Sequence, residues 1–373
     1  MTGGRNLGLI VNPVAGLGGR VGLKGSDGAE IQRQALALGA VPQAERRARQ
    51  ALDSLQPLRG ELRIVTYPAE MGEDVARKAG FKPLVLGCIA TGATTAEDTR
   101  QAATEMLQLP VDLLLFAGGD GTARDIVAAV GETLPALGIP AGVKIHSAVF
   151  GTSPTSAGEL AFRFMRDGLP LREGEVMDID EEAYRQGVLS AQLYGYLLVP
   201  RWRGLVQGAK ARSGPGEAAA QRAIARRVAA TMDPGCLYII GPGSTTRALA
   251  GELGLSKTLL GVDVILDGKL LAADVHEAQL LPLLEGREAR IIVTPIGGQG
   301  FIFGRGNQQI TPRVIAALGR ERIMVLSTPA KLHSLGGQPL RVDSGDPLVD
   351  EMLSGYIRVV TGHDEDAVCR VAC

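Results

Sequence analysis

The chain alternates short apolar runs with longer amphipathic ones, and the two periods predict different elements. Leu7 to Val11, Leu62 to Val65, Leu84 to Cys88 and Leu113 to Ala117 are brief and largely apolar, which predicts buried strands. Between them, Glu30 to Leu55, Glu70 to Ala79 and Ala96 to Leu107 are rich in helix-forming residues, and the first of these is interrupted near Pro42. Strand and helix alternating in this way predict a parallel sheet with helices on both faces. Ligands of such sheets sit beyond the carboxyl ends of the strands.

After a predicted helix over Ser156 to Met165, the character of the chain shifts near Pro170 to Glu175. Beyond the shift, Tyr194 to Val199, Cys236 to Ile240, Val262 to Leu266 and Ile291 to Val293 are short, apolar and punctuated by Gly and Pro. Asp263, Asp267, Asp274 and Glu277 bracket a predicted hairpin and a following helix. The expectation is therefore an α/β protein of two domains: residues 1–172, a Rossmann-like parallel α/β domain, and residues 173–373, richer in strands.

Composition narrows the function. Lys plus Arg number 39 against 40 for Asp plus Glu, so bulk charge favours neither nucleic acid nor an anionic membrane, and any phosphate site is local. The basic residues Lys210, Arg212, Arg222, Arg226 and Arg227, in and before a predicted helix over Glu217 to Thr231, fit a solvated face, a subunit contact or a phosphate clamp. Fifty glycines and 4% aromatics describe a loop-rich α/β chain, not a disordered one. Cys88, Cys236, Cys369 and Cys373 lack the C-x-x-C spacing of a zinc site and read as reduced thiols. With no signal-peptide pattern and no uncharged apolar stretch of about 18 residues, the expectation is a cytoplasmic protein.

The candidate chemistry lies in glycine turns that follow strands. Gly118-Gly119-Asp120-Gly121-Thr122 follows the apolar run at Leu113 and precedes helical spacing at Ile126, Val127 and Val130. Glycines there let the backbone approach a ligand, and the helix start directs free N–H groups at it, which suits phosphate. Asp120 fits two roles: a helix cap, or a carboxylate that takes a proton from a nucleophile or holds a metal. Asn12-Pro13-Val14-Ala15-Gly16-Leu17-Gly18-Gly19 is a second such turn, after the first strand, and Arg20, Lys24 and Asp27 extend it with charges. It is not a Walker A loop, since no G-K-[ST] closes it. Ile240-Gly241-Pro242-Gly243-Ser244-Thr245-Thr246 is a third, whose hydroxyls can cap a helix or bind ribose or phosphate. Thr294 to Gln309 is glycine-dense and carries Arg305 and amide side chains suited to sugar or phosphate oxygens.

Taken together, these turns resemble the motifs of the NAD kinases, which share a superfamily with the diacylglycerol and sphingosine kinases. Gly118 to Thr122 resembles the shared signature, whose aspartate is regarded as the general base; carried over, it is Asp120. Asn12 to Gly16 is similar to the N-P-x-A-G loop, and Gly243-Ser244-Thr245 to part of the T-P-T-G-S-T-A loop. The resemblance implies phosphate or nucleotide contacts by Asn12, Gly16, Gly18, Gly19, Lys24, Gly118, Gly119, Gly121, Thr122, Gly243, Ser244 and Thr245. It also implies an active site in the crevice between an α/β and a largely β domain. Leu137 to Pro154 resembles the segment that floors the site, with Lys144, His146 and Ser147 where an asparagine and paired glycines are usual. Lys144 and His146, together with Asp178, Asp180 and Asn307, are candidate substrate contacts; no metal ligand is assigned. Gly304-Arg305-Gly306-Asn307-Gln308-Gln309 and Val342-Asp343-Ser344-Gly345-Asp346 look like the AcoX-type bacterial and archaeal branch.

The activity implied is phosphorylation of NAD to NADP by ATP or polyphosphate with Mg2+, in a homo-oligomer. One departure bears on the acceptor: the Asn-Glu pair with which NAD kinases grip the dinucleotide is missing from Val176 to Tyr184. A kinase for another hydroxylated metabolite, or a nucleotide-binding regulator without turnover, are the alternative readings.

Overall fold

The computed structural model describes the chain apart from residues 1–4, 20, 24–28, 143–144, 180–190, 203–216, 259 and 297–298. Its contacts divide the chain into two compact units, Met1–Leu17 with Gly25–Ala209, and Gly18–Lys24 with Lys210–Cys373.

In the first unit, β1 (Arg5–Val11), β2 (Leu62–Thr66), β3 (Leu84–Val85), β4 (Leu113–Gly118) and β5 (Ala136–Pro140) form one sheet in the order β3-β2-β1-β4-β5. Every pairing in it is parallel. Leu7, Leu9, Ile10 and Val11 on β1 and Leu113 to Ala117 on β4 are wholly buried, as two-sided cover requires. The crossover helices are α1 (Ala29–Ala37), α2 (Ala44–Asp53), α3 (Glu73–Lys78), α4 (Ala96–Leu107) and α5 (Asp120–Val130), and α6 (Pro154–Asp167) follows β5.

Local signals set the ends of these helices. A capping box between Thr95 and Asp98 starts α4. Ser153 caps α6 by accepting from the Ser156 N–H, Pro154 follows it, and Gly168 closes the helix in the left-handed region. Pro42 lies in the break between α1 and α2, as the sequence reading placed it.

The hairpin of β6 (Leu171–Ile179) and β7 (Ala191–Pro200) belongs to this first unit, although the sequence reading begins its second domain at residue 173. The physical reason is visible at the segment after β5. Ala148 N–H donates to Glu175 O at 2.8 Å, and an Arg172 guanidinium nitrogen donates to Ala148 O at 2.7 Å. Gly174 packs so closely on Val149 that a Cβ would lie 2.9 Å from its side chain.

In the second unit, β8 (Leu237–Ile240), β9 (Asp263–Leu266), β10 (Lys269–Ala272), β11 (Ala289–Val293), β12 (Phe301–Phe303), β13 (Ile323–Leu326), β14 (Leu340–Val342), β15 (Gly355–Val360) and β16 (Asp366–Ala372) form a mixed nine-stranded sheet. Its order is β10-β9-β8-β11-β13-β15-β16-β14-β12. Leu237 and Ile239 enter one core while Tyr238 and Ile240 enter the other, so the apolar run Leu237 to Ile240 is a strand buried on both faces. The domain is β-rich as expected, and also carries helices after Pro312, Pro329 and Pro347 that its short polar connections did not announce.

A close helix contact in the first unit yields a stability test. A Cβ on Gly158 of α6 would stand 2.1 Å from the Ala51 carbonyl oxygen of α2. Helix propensity alone would make Gly158→Ala stabilising by about 0.5–1 kcal/mol. The clash reverses the sign, and we expect a net loss of about 1–3 kcal/mol in urea unfolding. An unfolding midpoint raised by the substitution would contradict the packing described.

Candidate active site

The order of the first sheet reverses between β1 and β4, the place where open α/β sheets hold ligands. Both strands end there in a glycine turn. Asn12 N–H donates to Ala117 O at 3.0 Å, and Asn12 Nδ2 donates to Thr122 Oγ1 at 3.0 Å. Its Oδ1 accepts from Val14 N–H at 3.2 Å. One amide therefore joins the turn after β1 to the turn after β4.

Two glycines in these turns are demanded by geometry. Gly16 has φ +77°, and a Cβ there would meet the Ala141 carbonyl oxygen at 2.0 Å. At Gly118 a Cβ would lie 2.3 Å from Thr122 Oγ1. The Gly118 carbonyl accepts from the N–H groups of Ala141 and Gly142 at 2.9 and 3.0 Å, which draws the segment after β5 alongside. Gly119 is the residue before α5, and no side chain caps this helix. Gly121 follows Asp120 in its first turn. Gly18 and Gly19 lie in turns closed by Leu23 N–H and Gly22 N–H, in the portion assigned to the second unit.

Asp120 is not the helix cap. It is 7% exposed, and its carboxylate faces the segment after β5. Oδ2 accepts from His146 N–H at 2.7 Å and lies 3.2 Å from His146 Nδ1. Oδ1 accepts from Ser147 N–H at 3.1 Å and from Ser147 Oγ at 2.6 Å. Ser147 Oγ in turn accepts from Met177 N–H at 3.0 Å, tying β6 to the same cluster. Ser147 is fully buried.

Neighbouring carboxylates are neutralised by arginines. Asp125 pairs with Arg100 at 2.7 Å and Asp178 with Arg124 at 2.9 Å. Burial opposes the charge of Arg124, but Asp178 and Asp125 outweigh it and hold the guanidinium pKa above its ordinary value. Asp178, a candidate substrate contact, thus has a cationic partner on α5.

In the second unit, Gly243 takes φ +134° and abuts Thr294, whose Cγ2 would lie 2.3 Å from a Cβ. Ser244 and Thr245 begin the helix Ser244–Glu252. Lys331 Nζ reaches Thr245 Oγ1 at 3.1 Å and Ser244 Oγ and Thr294 Oγ1 at 3.4 Å. Gln221 Nε2 donates to Ser244 Oγ at 3.0 Å. A lysine at the head of a hydroxyl-lined helix start is chemistry suited to an anion. Lys331 escaped the sequence reading; its local signal was the Thr328-Pro329 cap three residues before it, where Thr328 Oγ1 accepts from Lys331 N–H.

Other candidate contacts have partners within the second unit. Asn307 Nδ2 donates to Ile302 O at 2.8 Å and its Oδ1 accepts from Gly304 N–H at 3.1 Å, so its amide closes its own turn. Arg305 is buried beside Asp343 at 3.3 Å. The Gly304 run and the Asp343 run, far apart in sequence, meet here. On the basic helix, Arg227 pairs with Asp366 at 3.0 Å and Arg226 with Glu252 at 3.7 Å. Arg20, Lys24, Asp27, Lys144, Asp180, Lys210 and Arg212 lie outside the described residues. Among the described residues no group of three or more His, Cys, Asp or Glu side chains could hold a metal ion.

Two family models match the chain. The ATP-NAD kinase N-terminal domain matches residues 7–169, and the ATP-NAD kinase C-terminal domain matches residues 234–371. The chain belongs to the ATP-NAD kinase family. Both glycine turns of the first unit fall inside the first match, and Gly243 to Thr245 with Lys331 inside the second. No curated protein matches the chain. Among solved structures, "A putative diacylglycerol kinase from Bacillus anthracis str. Sterne" is similar at 16% identity and a TM-score of 0.27, over 48% of this chain and 47% of that one. A second structure of a like-named Bacillus anthracis protein aligns at 15% identity and a TM-score of 0.27, over 48% and 45%. The chain thus spans about half the length of these structures.

The Ser147 contacts predict a measurable cost in this member of the ATP-NAD kinase family. Ser147→Ala removes the 2.6 Å bond to Asp120 and leaves the Met177 N–H without its acceptor. We expect about 1–3 kcal/mol of lost stability by urea unfolding. An unchanged midpoint would contradict the pairing.

Proposed function

We propose that the protein transfers a phosphoryl group from ATP or polyphosphate to an alcohol, and that the alcohol is a ribose hydroxyl of NAD. Family membership supports the reaction class, a phosphotransferase with an alcohol-group acceptor. The observation that carries the reading is the joined pair of turns at the sheet's switch point, with Asp120 at the start of α5.

In this reading Asn12, Gly16, Gly18, Gly19, Gly118, Gly119, Gly121 and Thr122 lie against phosphates. Uncapped N–H groups at the start of α5 supply positive potential to the turns of the first unit, and within the second unit Lys331 does so beside Ser244 and Thr245. Asp120 is the carboxylate on which removal of the acceptor's proton depends. Mg2+ would arrive on the donor's phosphates and neutralise their charge. The reading carries with it a homo-oligomer, as the family resemblance implies, and a cytoplasmic location; no helix among the described residues is long and apolar enough to cross a membrane.

A different hydroxylated metabolite is the second reading of the acceptor. The absent Asn-Glu pair favours it, as does the engagement of Asp178 with Arg124 in the corresponding region.

Asp120→Asn tests the role of the carboxylate. We expect the variant to bind ATP in calorimetry as the wild type does, with turnover lower by about 10^2 to 10^4. Near-wild-type turnover would remove Asp120 from the mechanism.

A further inference from the structure

We propose that His146 Nε2, and not the Asp120 carboxylate itself, takes the proton from the acceptor hydroxyl, with Asp120 as the positioning residue behind it; this rests on the phosphotransfer reading above. An ionised carboxylate offers about four lone-pair positions on its two oxygens. Here all four face donors of one short segment: two from His146 on Oδ2 and two from Ser147 on Oδ1. A substrate hydroxyl would have to displace one of them.

The imidazole has the complementary property. A carboxylate can only accept, so the nitrogen facing Asp120, Nδ1, carries the ring proton, and Nε2 keeps its lone pair. That is the tautomer a base requires. The carboxylate fixes the ring's orientation and stabilises the imidazolium, as in the aspartate–histidine pair of serine hydrolases. His146 is also the more exposed of the two, 13% against 7% for the side chains. It stands after β5, beside the glycine turn assigned to phosphates, with the Gly118 carbonyl holding Ala141 and Gly142 a few residues before it.

The step balances as follows. The hydroxyl oxygen bonds to the transferred phosphorus while the bond from that phosphorus to the donor's bridging oxygen breaks. The hydroxyl proton passes to Nε2. The imidazolium retains Nδ1–H on Asp120 and later gives the Nε2 proton to water. The donor, a nucleoside triphosphate or polyphosphate, leaves one phosphate shorter.

The position allows a sharp substitution, because asparagine keeps a polar side chain of similar reach but carries no basic nitrogen. His146→Asn keeps the backbone N–H on Asp120 but removes the basic nitrogen. We expect His146→Asn and His146→Ala to bind ATP while kcat falls about 10^2 to 10^4, with imidazole in the buffer restoring turnover to His146→Ala. Wild-type turnover by His146→Asn, or a slow His146→Ala that imidazole leaves unchanged, would overturn the proposal. Long-range nitrogen NMR of the labelled wild type reads the same point without turnover, the His146 signals being those lost in His146→Asn. We expect a proton on Nδ1 and none on Nε2; the opposite tautomer would overturn the proposal. A wild type that phosphorylates no hydroxyl would overturn the kinase reading, and the tautomer would then decide the pairing on its own.

Discussion

The reversal of strand order between β1 and β4 is the constraint on which the site in the first unit depends. Neighbouring parallel strands whose connections leave in opposite directions open a gap above their carboxyl ends. Both glycine turns enter that gap, and one amide, Asn12, ties them through Ala117 and Thr122. Glycine is forced where the turns close on their neighbours: at Gly16 by the Ala141 carbonyl, and at Gly118 by Thr122. Without the buried apolar strands below, nothing would hold these backbones in register.

The same constraint sets the surroundings of Asp120. Starting α5 directly at the acid leaves its carboxylate free to turn away from the helix and toward His146 and Ser147. Those two residues are in turn fastened to β6 through Met177. A buried carboxylate is tolerable here because both its oxygens accept hydrogen bonds from His146 and Ser147. The arginines nearby are committed elsewhere, Arg100 to Asp125 and Arg124 to Asp178.

Much of the first unit was legible because its signals are local. Apolar runs marked β1, β2 and β4, and Pro42 marked the break between helices. The glycine turns were legible for the same reason. What sequence did not disclose is long-range pairing. Nothing in the local pattern says that Asp120 will meet Ser147, that Lys331 will reach Thr245, or that Arg305 will be buried on Asp343. The unit boundary escaped for a related reason. The composition shift near Pro170 is real, but β6 and β7 pair with each other and stitch back onto the segment after β5.

The central claim is that a phosphoryl group passes to a hydroxyl of NAD. It is tested most directly by incubating the wild-type protein with Mg2+, NAD and either ATP or polyphosphate, and identifying the product by phosphorus NMR. The account predicts a new phosphomonoester on the adenosine ribose 2′ oxygen, formed with loss of one phosphate from the donor. A protein that binds ATP and NAD yet leaves both unchanged would contradict it.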